Sequence, residues 1–183
     1  MPIDPYQPFT NPVTRETFRC LSSTAEAYTM EWTVEPGGYV PFEHIHVAQE
    51  EVCRILRGKI RAVIGGHPRM AGTGETLVIP RGAKHVAYND TPDPLVCIVE
   101  YKPGLDVFKS FQCFSGLTQD NDLGLVYGIH VPKMMYFMKK LEIRALVRPA
   151  FVPEPLFQIG LYGFLVLGSM LGWEEQCRRY TGG

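Results

Sequence analysis

Short apolar segments separated by turns run through the first hundred residues of the chain. In 27–34, apolar and polar residues alternate, which predicts a strand with one buried face. The side chains on that face are Tyr28, Met30, Trp32 and Val34. Further apolar runs, each ending next to a turn-forming residue, predict strands at 52–56, 60–64, 77–79, 86–88 and 95–101. Short strands at this spacing are typical of a sandwich or a barrel.

The two ends of the chain differ from this central barrel region, 21–104. Residues 1–20 contain four prolines, so we expect an arm that either packs across the barrel or a partner subunit, or is partly ordered. From Leu105 onward apolar residues recur at helical spacing, and 134–147 also has a helical pattern. The sequence therefore predicts a helical C-terminal extension over 105–183.

An apolar run without charges, from Leu156 to Trp173, lies within this extension. Its length matches that of the shortest membrane-spanning helices, and Gly168 and Gly172 form a small-residue pair suited to helix packing. Because Gln158, Ser169 and several glycines lower its hydrophobicity, we favour a helix buried against the barrel or in a dimer interface over a membrane contact at 156–173.

Composition excludes several classes of function. The net charge is -1, with 18 basic and 19 acidic residues and no basic stripe, so nucleic acid is not an expected partner and a small-molecule substrate is. The five cysteines are odd in number and far apart in sequence, which argues against a disulfide framework and fits a reducing compartment. Residues 1–5 lack the basic and apolar regions of a signal peptide, so we expect a cytoplasmic protein.

Histidine and glutamate carry the candidate chemistry. His44 and His46 are two residues apart and would share one face of a strand, and Glu51 begins the next apolar run. Imidazole and carboxylate ligands together suit Fe, Mn, Zn, Ni or Co. An ionised glutamate beside a core needs a compensating charge, which a metal ion provides. His85 follows a turn and joins them only if the sheet folds back on itself.

The alternative is that these are ordinary surface histidines, because a His-x-His pair alone is a weak indicator. His67 and His130 lie next to glycine or proline, so we interpret them as turn residues and leave them out of the site.

Two motifs of fixed spacing surround these residues. The first is Gly, five residues, His-x-His, four residues, Glu, six residues, Gly, and its members are Gly38, His44, His46, Glu51 and Gly58. The second is Gly, five residues, Pro-x-Gly, two residues, His, three residues, Asn, and its members are Gly74, Pro80, Gly82, His85 and Asn89. With both motifs complete and in order, the chain resembles the cupin superfamily, in its single-domain form.

The choice between two adjacent glutamates follows from the first motif. Glu50 and Glu51 both fit the permitted gap after His46, but only Glu51 leaves six residues before Gly58. Alternation from Glu51 also places Cys53 on the inner face, where it is either a pocket residue or a small buried hydrophobe. We therefore assign Glu51 to the site and expect Glu50 to face solvent or to support a ligand.

The resemblance implies a mainly β fold, a double-stranded β-helix (jelly-roll) barrel with a helical appendage. It also implies one divalent metal ion held by His44, His46, Glu51 and His85, with open positions for water, O2 or a bidentate substrate. Since this ligand set occurs in dioxygenases of the family, we expect an oxygenase acting on a small organic molecule. The alternatives are a cupin isomerase or decarboxylase and a non-catalytic binding module. Small cupins are commonly dimers, so a homodimer through sheet edges is also expected.

Overall fold

The computed structural model describes residues 2–124 and 128–182. Met1, 125–127 and Gly183, which belong to the predicted arm and extension, lie outside the described residues. The strands are β1 (Phe9–Asn11), β2 (Glu16–Ser23), β3 (Tyr28–Val34), β4 (His44–His46), β5 (Glu50–Arg57), β6 (Lys59–Ile64), β7 (His67–Gly72), β8 (Thr76–Ile79), β9 (Lys84–Tyr88), β10 (Leu95–Lys102) and β11 (Val147–Pro149). The helices are α1 (Val107–Gln119), α2 (Val131–Lys140), α3 (Glu154–Met170) and α4 (Trp173–Thr181).

Two antiparallel sheets enclose the core. One has the order β1-β2-β3-β10-β5-β8 and the other the order β11-β4-β9-β6-β7. Alternate residues of β3 are buried, as the period-two pattern predicted, and they pack with inward side chains of the second sheet such as Ile60 and Ala87. The expected mainly β fold, a double-sheet barrel followed by helices, is confirmed.

The tight turn between β5 and β6 depends on Gly58. Its φ angle is 80°, in the left-handed region that side chains with a Cβ rarely adopt. A Cβ at this position would also lie 2.7 Å from the carbonyl oxygen of Pro94. The motif glycine is therefore required by both backbone conformation and close approach, and it sets the register of the strand that carries Glu51.

The N-terminal segment is part of the six-stranded sheet. β1 pairs with β2, and β2 pairs with β3 so that Phe18 lies opposite Trp32. Burial of the alternating residues Glu16, Phe18 and Cys20 favours a strand here, although several prolines precede it. The segment that we expected to pack as an arm thus extends the sheet. Strand β2 also runs across residue 20, where the arm was expected to end and the barrel to begin. This division into arm and barrel stays a prediction.

Helix α1 packs on β1 and β2 at one edge of the six-stranded sheet. Its Phe111 and Phe114 rings lie 5.6 and 5.5 Å from the ring of Phe18. The helical interpretation of 134–147 holds only as far as Lys140, where α2 ends. Beyond it, the backbone N–H groups of Arg144 and Ala145 bond to Asp106. The chain then forms β11, because the edge of β4 provides backbone hydrogen-bonding partners for a strand.

Helix α3 is only partly covered by the rest of the chain. It buries Phe157 and Leu161, whereas Ile159, Val166 and Met170 are 66%, 62% and 80% exposed. One face of the helix is buried, but its main contacts are with α2 and α4 and not with the barrel strands, so the expected packing against the barrel is not what buries it. In the described parts of the chain, no single helix has the length and apolarity needed to span a membrane, and α3 with α4 would do so only as a pair bent by 99°.

Candidate metal centre

Both sheets contribute to the cluster that the sequence predicts. His44 and His46 lie on β4, and His85 lies opposite His44 on β9, all in the five-stranded sheet. Glu51 lies near the start of β5 in the other sheet, opposite Tyr101 of β10. The predicted four residues are therefore brought together by the closure of the barrel.

The four side chains place one donor atom each within 4.8 Å of all the others. Glu51 Oε2 lies 3.0 Å from His46 Nε2 and 3.2 Å from His85 Nε2, and the Nε2 atoms of His44 and His46 are 3.3 Å apart. Donors at about 2.1 Å from one ion and roughly at right angles are separated by about 3 Å, so these spacings match a single coordination sphere.

The imidazole orientations leave the Nε2 atoms facing the cluster. His44 Nδ1 is 3.1 Å from the carbonyl oxygen of Phe42, and His85 Nδ1 is 3.0 Å from that of Ala83. With Nδ1–H donating to a carbonyl, Nε2 keeps its lone pair for a cation, which is the usual arrangement of metal-binding histidines. His46 Nδ1 is buried and has no hydrogen-bond partner among the described residues. The donor set fits a divalent transition metal.

Charge and burial shift the pKa values of three cluster residues. Burial alone would raise the pKa of Glu51, but hydrogen bonds from His46 and His85 outweigh it and hold that pKa well below its usual value. Burial and the neighbouring imidazoles lower the pKa of His44. Burial opposes protonation of His85, yet the Glu51 carboxylate raises its pKa. The Glu51 carboxylate thus favours positive charge beside it, which a bound cation would also provide.

A cavity of about 190 Å³ adjoins the cluster. Apart from the cluster itself its walls are mostly apolar, with Met30, Trp32 and Val99 from the six-stranded sheet and Phe111 and Phe114 from α1. No lysine or arginine lines it among the described residues. An apolar chamber beside a group of metal-binding donors can hold a small organic molecule away from bulk water.

A buried carboxyl group, Glu16, also lines this cavity. Its side chain accepts a hydrogen bond from Trp32 Nε1 at 3.1 Å, and the residue is only 3% exposed. Burial raises the pKa of Glu16 to about 8, so the carboxyl group is mostly protonated at neutral pH and can donate a hydrogen bond. The sequence did not identify Glu16 as a site residue, although its alternation with Phe18 and Cys20 indicates an inward-facing side chain.

Two further residues support the cluster. Cys53 Sγ donates to Glu51 Oε1 at 3.3 Å, so this predicted pocket candidate contacts a proposed ligand. Tyr101 was not predicted, and its ring lies 4.9 Å from that of His46. Burial and the nearby Glu51 raise the pKa of Tyr101 well above its usual value, which keeps the phenol neutral. No sequence signal marks Tyr101, because its place depends on the register between β10 and β5.

The residues left out of the site lie elsewhere. His67 starts β7 and is exposed, and His130 precedes α2, where its Nδ1 accepts from the backbone N–H of Lys133. Glu50 is half-buried and points to the opposite side of β5 from Glu51.

The barrel region is similar to known proteins. A family model described as "Cupin domain" matches residues 30–101. No curated protein matches the chain. Similar solved structures include the Cnp3 cupin domain of Schizosaccharomyces pombe, with a TM-score of 0.47, 14% identity, and coverage of 49% of this chain and 65%, just under two thirds, of that one.

Two bacterial structures are similar to a comparable extent. An uncharacterised conserved protein with a double-stranded β-helix domain from Klebsiella pneumoniae has a TM-score of 0.48 and 20% identity, covering 54% of this chain and 80% of that one. KdgF from Halomonas sp. has a TM-score of 0.47 and 18% identity, covering 51% and 84%. With the family-model match over residues 30–101, the paired sheets and both spaced motifs in place, this part of the chain is a cupin domain, and a helical C-terminal extension follows it.

Proposed function

We propose that the chain is a metal-dependent cupin oxygenase of the dioxygenase type, acting on a small and largely apolar organic molecule. The observation that carries this proposal is the position of the donors His44, His46, Glu51 and His85 beside an apolar cavity. Four protein ligands leave positions open on an ion that takes five or six. When bound, a redox-active ion supplies the centre at which O2 is activated.

Residues of the chain line the cavity beside the ligands and orient the ligand side chains. Apolar side chains such as Met30, Val99 and Phe111 exclude water from the space beside the ligands, which suits both O2 and an apolar substrate. The backbone carbonyls of Phe42 and Ala83 fix the orientation of two imidazoles. Cys53 holds one oxygen of Glu51, so the other oxygen faces the histidines.

The walls of the cavity favour this function over action on a phosphorylated sugar. Arginine and lysine side chains commonly bind phosphate groups, and the described walls contain no cationic side chain other than the site histidines. A cupin isomerase or decarboxylase, or a binding module without catalysis, would use the same metal ligands and is distinguished by its lack of O2 consumption.

The experiment is anaerobic purification with metal analysis, followed by O2-uptake measurements with catechols, diketones, flavonols and thiols. The proposal predicts bound iron or another redox-active metal and O2 uptake that depends on one substrate class. Glu51→Gln should abolish the uptake, and the adjacent Glu50→Gln is the matched control that should retain it. A redox-inactive metal and no uptake with any class would contradict the dioxygenase.

Two sequence-based expectations about context also stand as proposals, namely a homodimer and a cytoplasmic location. The five cysteines, all within the described part of the chain, are buried and unpaired, which supports a reducing compartment. Exposed apolar residues on α3 support self-association. Sedimentation equilibrium tests the dimer, and a monomer at micromolar concentration would contradict it.

A further inference from the structure

A second cavity, of about 150 Å³, adjoins the chamber beside the metal ligands. The two cavities share a set of wall residues that comes from the loop before β4, α1, the segment before α2, and β11. These residues are Phe42, Ser110, Phe111, Phe114, Ile129 and Val147. Because the same side chains line both spaces, the two cavities are adjacent, and the second lies on the side of the first where the helical extension packs.

The walls of the second cavity are built by the helices. Three methionines of α2, Met134, Met135 and Met138, line it together with Phe157 of α3. No charged side chain lines it among the described residues. Methionine side chains are flexible and polarisable, and such surfaces adapt to apolar ligands of differing shape.

This apolar cavity begins next to the metal ligands. Val147 lies opposite His46 in the ladder between β11 and β4, and it lines both cavities. The Phe42 ring, 6.4 Å from the ring of His44, lines both as well. The second cavity therefore lies within a few ångströms of residues that pack against the proposed ligands, close enough for one small molecule to occupy both spaces if these side chains leave a passage.

We propose that the second cavity holds the hydrocarbon tail of a ligand whose oxygen-donor head binds at the metal centre. The ligand class is an amphipathic small molecule, with a chelating head such as a carboxylate or hydroxy-ketone and an alkyl or aryl tail. This inference rests on the metal centre of the proposed function and adds the helical extension as the part that selects the tail. The hydroxyl of Ser110, buried at the junction without a hydrogen-bond partner among the described residues, is the one polar group on the path.

Alkyl hydroxamates of increasing length test the proposal, because their heads chelate a metal through two oxygens while only the tail varies. Calorimetric titration of the metal-loaded chain with the series from acetohydroxamate to decanohydroxamate should show affinity rising up to about fourfold for each CH2 group that the cavity takes up. Affinity that does not change with tail length would overturn the proposal.

Two substitutions test where the hydrocarbon tail of the ligand binds. Met134→Trp fills the second cavity, so it should weaken octanohydroxamate binding at least tenfold and leave acetohydroxamate unchanged. Met170→Trp is the matched control, because Met170 is 80% exposed on α3 and lines neither cavity, and it should change neither affinity. If Met134→Trp does not fold, the hydroxamate series with the unmodified protein still tests the proposal.

A metal-independent measurement separates failure of this inference from failure of the proposed function. With [13C]methyl-methionine labelling, n-octanol added to the metal-free chain should shift the methyl resonances of Met134, Met135 and Met138, and not that of Met170. Octanol shifts without any hydroxamate binding would reject the metal centre and retain the apolar site. Acetohydroxamate binding without octanol shifts or chain-length dependence would retain the metal centre and overturn the tail site.

Discussion

His44 and His85 lie opposite each other in the antiparallel ladder between β4 and β9, and the centroids of their rings are 4.2 Å apart. This pairing brings the two spaced motifs into contact, since each motif provides one of the two histidines. A register shift of one residue would turn His85 to the other face of the sheet. The cluster with Glu51 therefore depends on the turns that set the register as much as on the ligands themselves.

Removal of metal should lower the stability of the fold. A metal that binds only the folded chain stabilises it by about 2.7 kcal/mol when its free concentration is a hundred times the Kd. Dialysis against a chelator should therefore lower the Tm, and adding back the metal should restore it. Calorimetry checks this, and His85→Ala serves as the control whose Tm should not respond to metal. An unmodified chain whose Tm is equal with and without metal would contradict the prediction.

Replacement of Cys53 by alanine should weaken metal binding. Cys53 donates its thiol hydrogen to Glu51 Oε1, and loss of a group that supports a ligand typically costs tenfold or more in metal affinity. Cys97→Ala is the matched control, because Cys97 is equally buried in the neighbouring strand β10 and does not line the cavity. Competition titration with a chromophoric chelator gives both affinities, and equal values for the two variants would argue against a supporting role.

The buried carboxyl group of Glu16 should make stability depend on pH. The folded chain keeps this proton up to a pKa of about 8, whereas the unfolded chain loses it near the ordinary value of 4.5. Between these pH values the folded state binds one more proton, so this group lowers the free energy of unfolding as pH rises, by at most about 1.4 kcal/mol per pH unit.

Glu16→Gln replaces this titrating carboxyl group with an amide that stays neutral. The free energy of unfolding of the variant minus that of the unmodified chain should therefore increase from pH 5 to pH 8 in urea titrations. Glu35→Gln, at an exposed position close by, is the control for the loss of one carboxyl group. A difference for Glu16→Gln that does not change with pH would show that Glu16 is ionised in the folded chain.

Two motif glycines should differ in their tolerance of alanine. Both Gly58 and Gly82 have a positive φ, which alone costs about 1 to 2 kcal/mol for alanine. An added Cβ meets the Pro94 carbonyl at Gly58 and nothing within 4 Å at Gly82. Gly58→Ala should therefore be less stable than Gly82→Ala by about 1 to 3 kcal/mol in urea unfolding. Equal losses would mean that the turn at Gly58 relaxes without cost.

The sequence predicted the barrel and the cluster because both depend on local patterns with strong physical constraints. Alternation identified the buried face of β3, and motif spacing identified Glu51 over Glu50. The N-terminal strands were missed because the prolines of 1–20 obscured the alternation of Glu16 with Phe18.

The surroundings of the cluster were not predictable, because they depend on tertiary contacts. Val147 lies in a segment with a helical pattern, yet it forms β11 because β4 offers an unpaired edge. Tyr101 reaches His46 only through the register of β10 with β5. No sequence pattern indicates that the methionines of α2 line a cavity, because that cavity forms only where the helices pack beside β11 and the loop before β4.

The most direct measurement of the central claim is the metal content of three proteins purified under identical anaerobic conditions and analysed by mass spectrometry. We predict about one divalent transition-metal ion per chain for the unmodified protein and for His67→Ala, since His67 is exposed on β7, and a sharp loss for His85→Ala. Unchanged occupancy in His85→Ala, or no metal in the unmodified protein even after incubation with Fe, Mn, Zn, Ni or Co, would contradict the account.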